Sequence, residues 1–402
     1  MSAGLVNTII AVVALAFLAW MLYRPKVQGS VTYKAMVVPL ANIMDVGFLV
    51  MSPLIVVLVG FKAPLVMLGI CLLAILTGFA IAYNIRHYEP LIGKPDRLHR
   101  WNSFSTWALI AASIVNIAYY SQLLTSLVLL PLGDLYTPTR AAVTAAVVLG
   151  ALAIVGFTKG LDLLAKVGNK TTAFNLSALG AVVIAFAAYN LQQLIGTDFE
   201  FPDFDTSTDS ETFRKLLGFF AIVQGFEAAR YMGAYFGAQE RINTMRIAQV
   251  IASTVFVLLI AFSLILFVQV EPPPDGTAIF IVSSEVSVFL PFLILAAALG
   301  SQLSAIVNAA ESRSEMLIEQ VGDRLPQKWT FPLILVPAIV VVLLTDVTSA
   351  VALASRVFAA YFLLQAFIAG RLAWRAKRWA WVALFAAIGV AMAVIAVFGI
   401  AT

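Results

Sequence analysis

Long runs of apolar residues, separated by short polar loops, cover almost the whole chain. A run of about 20 apolar residues is long enough for a helix to cross the hydrocarbon core of a membrane. Strands of a membrane barrel would alternate apolar and polar positions, whereas these runs are continuous. The pattern predicts an all-α membrane protein with about twelve transmembrane helices, near residues 5–23, 35–58, 62–84, 103–130, 139–157, 171–194, 214–237, 246–270, 285–318, 331–345, 347–370 and 379–400.

The composition agrees with a membrane protein and excludes several other classes. Of the 402 residues, 62% are hydrophobic and only 11% are charged, and the mean hydropathy is +0.97. A soluble domain carries about a quarter charged residues. The lone Cys71 rules out an intrachain disulfide. The net charge of +4 is attributed to loops at a membrane surface, so a lipid bilayer is the expected surrounding and nucleic acid is not an expected partner.

Basic residues are shared unevenly between alternate loops. One set of loops contains 18 of the 25 basic residues, whereas the other contains an acidic cluster within 196–213. Because cytoplasmic loops are enriched in Lys and Arg, the first set is predicted to be cytoplasmic, with both chain termini outside a bacterial inner membrane. This basic set comprises Arg24, Lys26, Lys34, Arg86, Lys94, Arg97, Arg100, Lys159, Lys166, Lys170, Arg241, Arg246, Arg324, Lys328, Arg371, Arg375, Lys377 and Arg378.

Two of the predicted spans carry an acidic residue beside a glycine near mid-depth. The span 35–58 contains Asp45 and Gly47, and the span 214–237 contains Gly225 and Glu227. Ionisable groups are costly in hydrocarbon, so they face the interior of a helix bundle and mark functional sites. Helices interrupted by glycine at corresponding positions of two halves are typical of the binding site of secondary transporters. These residues are therefore the first candidates for a substrate site.

Three arginines also fall inside or near the apolar runs. Arg230 and Arg356 are candidates to pair with Asp45 or Glu227, or to bind an anionic group of a substrate. Arg313 lies within one helical turn of the acidic residues at 311 and 315, and it is interpreted as structural.

Polar residues inside other spans extend the list of candidates. Asn116 and Tyr120 are predicted to bind substrate together with Asn42. For Asn116, interhelical hydrogen bonding is an equally good explanation. Ser301 and Ser304 could hold a coupling sodium ion with hard oxygen ligands, and the packing of small polar residues between helices explains these serines at least as well. For a metal ion, the candidate ligands are Asn42, Met44, Asp45 and Met232, where methionine favours a soft metal.

Two short motifs resemble those of a known family of transporters. Gly225-Phe226-Glu227 in an apolar helix is similar to the sixth core helix of the amino acid–polyamine–organocation (APC) superfamily. Ser312-Arg313, followed by Gly322 and Leu325-Pro326, is similar to its eighth core helix. At the first core helix the chain departs from the family, because Asp45 stands where a glycine-rich break usually receives a substrate carboxylate.

The resemblance implies a LeuT-type architecture with ten core helices in two inverted five-helix repeats. Its first and sixth core helices would be discontinuous. The repeats would span 35–195 and 214–370, joined by the acidic external loop 196–213. An extra helix and a cytoplasmic linker would occupy 1–34, and a final helix would occupy 371–402.

Three hypotheses of function follow. The first is an ion-gradient-coupled secondary transporter of a small amine or amino acid that works by alternating access, with protons or sodium coupled through Asp45, Glu227, Ser301 and Ser304. The second is a permease of the same fold for an inorganic cation, either potassium or a divalent metal. The third is a membrane sensor or assembly subunit that transports nothing.

An enzyme is the class that the sequence favours least. The chain contains none of the motifs Gly-x-Ser-x-Gly, His-Glu-x-x-His or the phosphate-binding P-loop. No cofactor is expected, and any accumulation of substrate would have to use an ion gradient because no ATP-binding motif is present.

Overall fold

The computed structural model describes residues 3–44, 47–129, 136–195, 209–270, 278–322 and 325–401. Every regular element in these ranges is helical. The α-helices, in chain order, are α1 (Ala3–Leu22), α2 (Pro25–Gly29), α3 (Val31–Ile43), α4 (Gly47–Val59), α5 (Ala63–His87), α6 (Leu98–Leu129), α7 (Pro138–Lys159), α8 (Asp162–Ile195), α9 (Ser210–Gly218), α10 (Ala238–Val270), α11 (Ala278–Val286), α12 (Phe289–Val321), α13 (Gln327–Leu344), α14 (Val347–Arg375) and α15 (Trp379–Phe398).

Within the described residues, 10 helical stretches are long and apolar enough to cross a membrane. The segments predicted at 35–58 and 214–237 are interrupted instead, and their separate helices are shorter than a membrane crossing. The predicted span 285–318 lies almost wholly in α12, a single helix of 33 residues. The all-helical fold predicted from the sequence is therefore confirmed.

The outer surface of the bundle is apolar. Leu65, Val147, Ile154 and Phe292 are mostly exposed, at 71%, 66%, 67% and 68%. Exposed aliphatic and aromatic side chains over a whole helical surface would aggregate in water, and they are expected where a protein faces lipid.

The interior is built around three long helices, and two of them, α10 and α14, contact the interrupted segments. Helix α14 packs against α6 and α15, helix α12 packs against α6 and α8, and helix α10 packs against α3 and α5. Helix α3 also contacts the 3₁₀ segment Phe226–Met232, so parts of both interrupted segments meet inside the bundle.

Candidate substrate site

The chain between Asp209 and Gly233 changes backbone conformation four times. Helix α9 begins at the cap Asp209, whose carboxylate accepts a hydrogen bond from the Thr212 N–H at 2.8 Å. A 3₁₀ turn at Phe220–Val223 follows, then an extended Gln224, and a second 3₁₀ segment begins after Gly225. Gly225 has φ +116°, a value that side-chain-bearing residues rarely adopt. The glycine thus allows the break that the sequence predicts.

Helix α14 fixes the outer edge of this break through Ser355. Its hydroxyl donates to the Gly218 carbonyl at 2.6 Å and accepts from the Ala221 N–H at 2.7 Å. Backbone groups that leave a helix inside a membrane need partners from the protein. Ser355 supplies two such contacts, so the end of α9 is held in place while the following residues unwind.

The two interrupted segments touch at Asn42 and Gly225. Asn42 lies in the last turn of α3, just before the helix ends at Ile43. A Cβ added to Gly225 would lie 2.6 Å from both the carbonyl carbon and the Cβ of Asn42. Only a glycine permits this approach.

A cavity of about 690 Å³ begins beside this contact. Its size is within the range of small-molecule sites. The lining combines residues of α3, α6, α8, α12, α14 and the second 3₁₀ segment. The polar and charged residues on its wall are Lys34, Asn42, Ser113, Asn116, Tyr120, Thr172, Gln224, Glu227, Tyr231, Tyr235, Asn308, Glu311, Ser312, Arg313 and Glu315.

Glu227 and Gln224 present acceptor atoms at the break. Glu227 is 2% exposed, and its Oε2 accepts a hydrogen bond from the Gly225 N–H at 2.8 Å. Gln224 Nε2 donates to the Phe220 carbonyl at 3.0 Å, which leaves Gln224 Oε1 buried without a hydrogen-bond partner in the described part of the chain. Both residues line the cavity. A ligand with several N–H donors would satisfy these atoms.

Arg313 lines the same cavity from α12 and is 8% exposed. Its Nε donates to the hydroxyl of Ser113 at 2.6 Å, and its Nη1 donates to the Ser312 hydroxyl at 3.2 Å and the Met316 sulfur at 3.1 Å. These three partners are all neutral.

The structure brings together most of the substrate residues predicted from the sequence. Asn42, Asn116, Tyr120, Gly225 and Glu227 all line the cavity. Asn116 Nδ2 donates to the Tyr120 hydroxyl at 2.8 Å, which orients both side chains of α6.

The predicted metal and coupling residues are more dispersed. Met232 lines the cavity, whereas Met44 is buried at the end of α3 and is not part of the wall. Ser301 and Ser304 lie on α12 outside the wall, and Ser304 accepts a hydrogen bond at 3.2 Å from Asn308, which does line it. In the described part of the chain there is no cluster of three His, Cys, Asp or Glu side chains.

The break between α3 and α4 is described only at its edges. Helix α3 ends at Ile43 and α4 begins at Gly47, so the predicted interruption is present. Gly47 is the first residue of α4, at the edge of this break. Asp45 lies outside the described residues.

Arg230 does not join Glu227, contrary to one expectation from the sequence. Its guanidinium donates to Asn102 Oδ1 at 2.6 Å and to Gln365 Oε1. The same Gln365 oxygen accepts from Asn84 Nδ2 at 2.8 Å. Arg230 is therefore surrounded by neutral amides of α5, α6 and α14, and it is absent from the cavity wall. Two of these amide oxygens accept hydrogen bonds from the guanidinium, so Arg230 has buried hydrogen-bond partners without an acid.

Arg356 is also remote from the site. Its side chain is exposed, and its Nε donates to the Ala396 carbonyl of α15 at 2.9 Å. The position nine residues inside an apolar run suggested an interior location. The side chain instead points to the periphery and bonds a carbonyl near the C-terminal end of the last helix, where positive charge is favoured.

Sequence reasoning missed Gln224 and the role of Arg313. Gln224 immediately precedes the glycine of the break, and that adjacency was a usable signal. Arg313 is eight residues from the end of its helix, and only the packing of α12 against α6 turns it toward the cavity.

The cavity extends toward one end of the bundle. Lys34, Tyr235 and Glu315 line that end, and the loops there were predicted to be cytoplasmic. On the other side of Asn42, a remnant of about 10 Å³ is enclosed by side chains that include Phe48, Tyr119 and Val351. Among the described residues, the large cavity thus lies on the Lys34 side of Asn42, and only this small remnant lies beyond it.

Residues 25–399 match a family described as APC superfamily transporters. The chain belongs to the APC superfamily. The resemblance seen in the short motifs is therefore confirmed over nearly the full length, and the apolar helices make this transporter an integral membrane protein.

Two proteins similar to this APC transporter cover most of its length. An uncharacterized protein of Aquifex aeolicus (strain VF5) is 29% identical over 367 residues, or 89% of each chain. The crystal structure of an Eremococcus coleocola manganese transporter, in complex with an aromatic bis-isothiourea substituted compound, has a TM-score of 0.52. It is 11% identical, and the match covers 91% of this chain and 93% of that one. The second likeness shows a shared fold.

Proposed function

We propose that this APC transporter is a secondary transporter of a small organic amine, including amino acids, and that Glu227 binds the amine. The observation that carries the proposal is the pair of acceptors, Glu227 and Gln224, on the cavity wall at the break. An ammonium group has three donors, which suits a carboxylate and an amide oxygen together. A buried carboxylate is costly without a partner, and a cationic substrate would provide one.

The size of the cavity also favours an organic substrate over a bare ion. A volume of about 690 Å³ accommodates a molecule of several heavy atoms. Uptake against a gradient would need a coupling ion, and we propose a proton or sodium, with Asp45, Glu227, Ser301 and Ser304 as the residues to test.

Alternating access would use the architecture that the resemblance implies. In this proposal twelve helices span the membrane, ten of them as two inverted repeats, and α3–α4 and the segment 210–232 are the discontinuous first and sixth core helices. The conformation with its cavity lined by Lys34 and Glu315 is then inward-facing, with both termini outside.

A permease for an inorganic cation is the second candidate. Met232 and Asn42 on the wall could ligate a metal together with Asp45. The similar fold of a manganese transporter is compatible with this alternative.

A ligand-stabilisation screen of the purified protein separates the two candidates. The panel contains amines, amino acids, K⁺, Mn²⁺ and other divalent ions, and a bound ligand raises the melting temperature by mass action. The proposal expects organic amines or amino acids to raise it and inorganic ions not to. Stabilisation by inorganic ions alone would replace the proposal by the permease.

A further inference from the structure

Arg313 and Glu227 are opposite charges on one cavity wall that do not pair with each other. Ion pairs between side chains that the structure describes include Lys215–Glu211, Arg241–Glu89 and Arg375–Asp96. Neither Arg313 nor Glu227 is in this set, although both are buried. Both side chains line the same cavity.

The hydrogen bonds of Arg313 fix its orientation without neutralising it. Nε is used by Ser113, and Nη1 is used by Ser312 and Met316. All three partners are neutral. An arginine has five N–H donors, and the two on Nη2 have no hydrogen-bond partner among the described residues, so they remain for a ligand. A buried cation without an anion nearby destabilises the protein. When one partner of a buried ion pair is removed, much of the lost stability comes from the charge that is left uncompensated.

We propose that Arg313 binds a carboxylate of the substrate, so that the transported molecule is a zwitterion with its amine on Glu227 and its carboxylate on Arg313. This inference rests on the proposed transport function and narrows its substrate class. A carboxylate bound by Arg313 would also avoid the break between α3 and α4, where Asp45 adds a negative charge. Arginine suits the role because its planar donors match the geometry of a carboxylate.

Matched pairs of probes test the proposal directly. Each pair is an amino acid and the amine that remains when its carboxylate is removed: L-leucine and 3-methylbutylamine, L-phenylalanine and phenethylamine, L-serine and ethanolamine, and L-arginine and agmatine. The dissociation constant of each probe is measured by thermal stabilisation of the full-length protein. At least one amino acid is expected to bind about tenfold or more tightly than its amine, because hydrogen bonds to charged groups are the strong ones.

Arg313→Gln is expected to weaken amino-acid binding by about ten- to a hundredfold. Binding of the cationic amines should not weaken, because the variant removes a like charge from the cavity wall. Ser113→Ala keeps the charge of Arg313 but removes the acceptor of its Nε hydrogen bond. The variant is therefore expected to reduce the ratio of amino-acid affinity to amine affinity by a smaller factor. If Arg313→Gln does not fold, Ser113→Ala still tests the proposal. Arg356→Gln is the matched control, since that arginine lies outside the cavity, and it should keep the wild-type ratio.

Three results would overturn the inference. Equal binding of amino acids and their amines by the wild type would remove the need for a carboxylate site. If the ratio of amino-acid affinity to amine affinity is unchanged in both Arg313→Gln and Ser113→Ala, the carboxylate binds elsewhere. In both cases organic amines still bind, so the proposed transport function stands. Binding of inorganic ions alone would overturn the inference and the proposed function together.

Discussion

Gly225 packs directly against the backbone of Asn42, with room for no side-chain atom between them. The carbonyl oxygen of Asn42 would lie 2.8 Å from an added Cβ. This contact joins the end of α3 to the unwound part of the segment 210–232, immediately beside Gln224 and Glu227. It therefore determines where the acceptors of the candidate site lie relative to α3.

Gly225→Ala should destabilise the protein and abolish transport. The alanine would have to adopt φ +116° and would clash with Asn42, and together these effects should cost about 2–5 kcal/mol. Gly160→Ala is the matched control, because Gly160 has φ +74° but nothing within 4 Å of an added Cβ. The control should lower the apparent melting temperature less. Equal effects of the two variants would mean that the contact with Asn42 is unimportant.

Arg241 anchors the end of the second 3₁₀ segment. It forms an ion pair with Glu89 at 2.6 Å and donates to the Arg230 carbonyl at 2.7 Å, and its side chain is only 4% exposed. Arg241→Gln should cost about 3 kcal/mol, because it leaves a partly buried acid without its partner. Arg86→Gln, at an exposed arginine that contacts Gln239, should have little effect on the melting temperature. A similar loss in both variants would contradict the anchoring role.

Architecture was more predictable than side-chain direction. The apolar runs and the two glycine–acid pairs located the helices and the interruption at Gly225, because both depend on local sequence. The orientation of Arg230, Arg313 and Arg356 depends on how long helices rotate against their neighbours. The sequence has two acids and two arginines near mid-depth in its apolar runs, and these equal numbers suggested direct ion pairs. The structure satisfies Arg230 with amides and Arg356 with a carbonyl instead.

The chain end packs against the outer part of the interrupted segment. Ile400 N–H donates to the Arg214 carbonyl at 3.2 Å, and a Cβ on Gly218 would lie 2.1 Å from the Ile400 carbonyl oxygen. Gly218→Ala should therefore displace residues 399–401 and accelerate hydrogen exchange of the Ile400 amide. Gly150→Ala, where nothing lies within 4 Å of the added atom, should leave that exchange unchanged. Unaltered exchange in Gly218→Ala would exclude this docking.

Asp96 connects the loop between α5 and α6 to the end of α14. The Asp96 carboxylate accepts hydrogen bonds from the Arg375 guanidinium and from the Leu98 N–H. Both bonds lower the pKa of this carboxyl below its usual 3.8, and the bond from Arg375 has the larger effect. A lowered pKa in the folded state means that the ionised form stabilises the fold above pH 3.8 and that this contribution is lost as pH falls through the folded-state value.

A double-mutant cycle with Asp96→Asn and Arg375→Gln tests this ion pair. At pH 7 the coupling should be about 0.5–1 kcal/mol, since Arg375 is 44% exposed and water screens the pair. At pH 3 or below the coupling should shrink as Asp96 becomes protonated. A coupling that is the same at both pH values would contradict the assignment.

The central claim is that substrate binds to Glu227 and is moved across the membrane. The most direct measurement is uptake of the best stabilising ligand into proteoliposomes under an imposed proton or sodium gradient, with wild-type protein and Glu227→Gln side by side. The glutamine keeps the shape of the side chain and removes its charge, so the variant should stay folded. We expect accumulation by the wild type and none above empty vesicles by the variant. Equal accumulation by both proteins would contradict the claim.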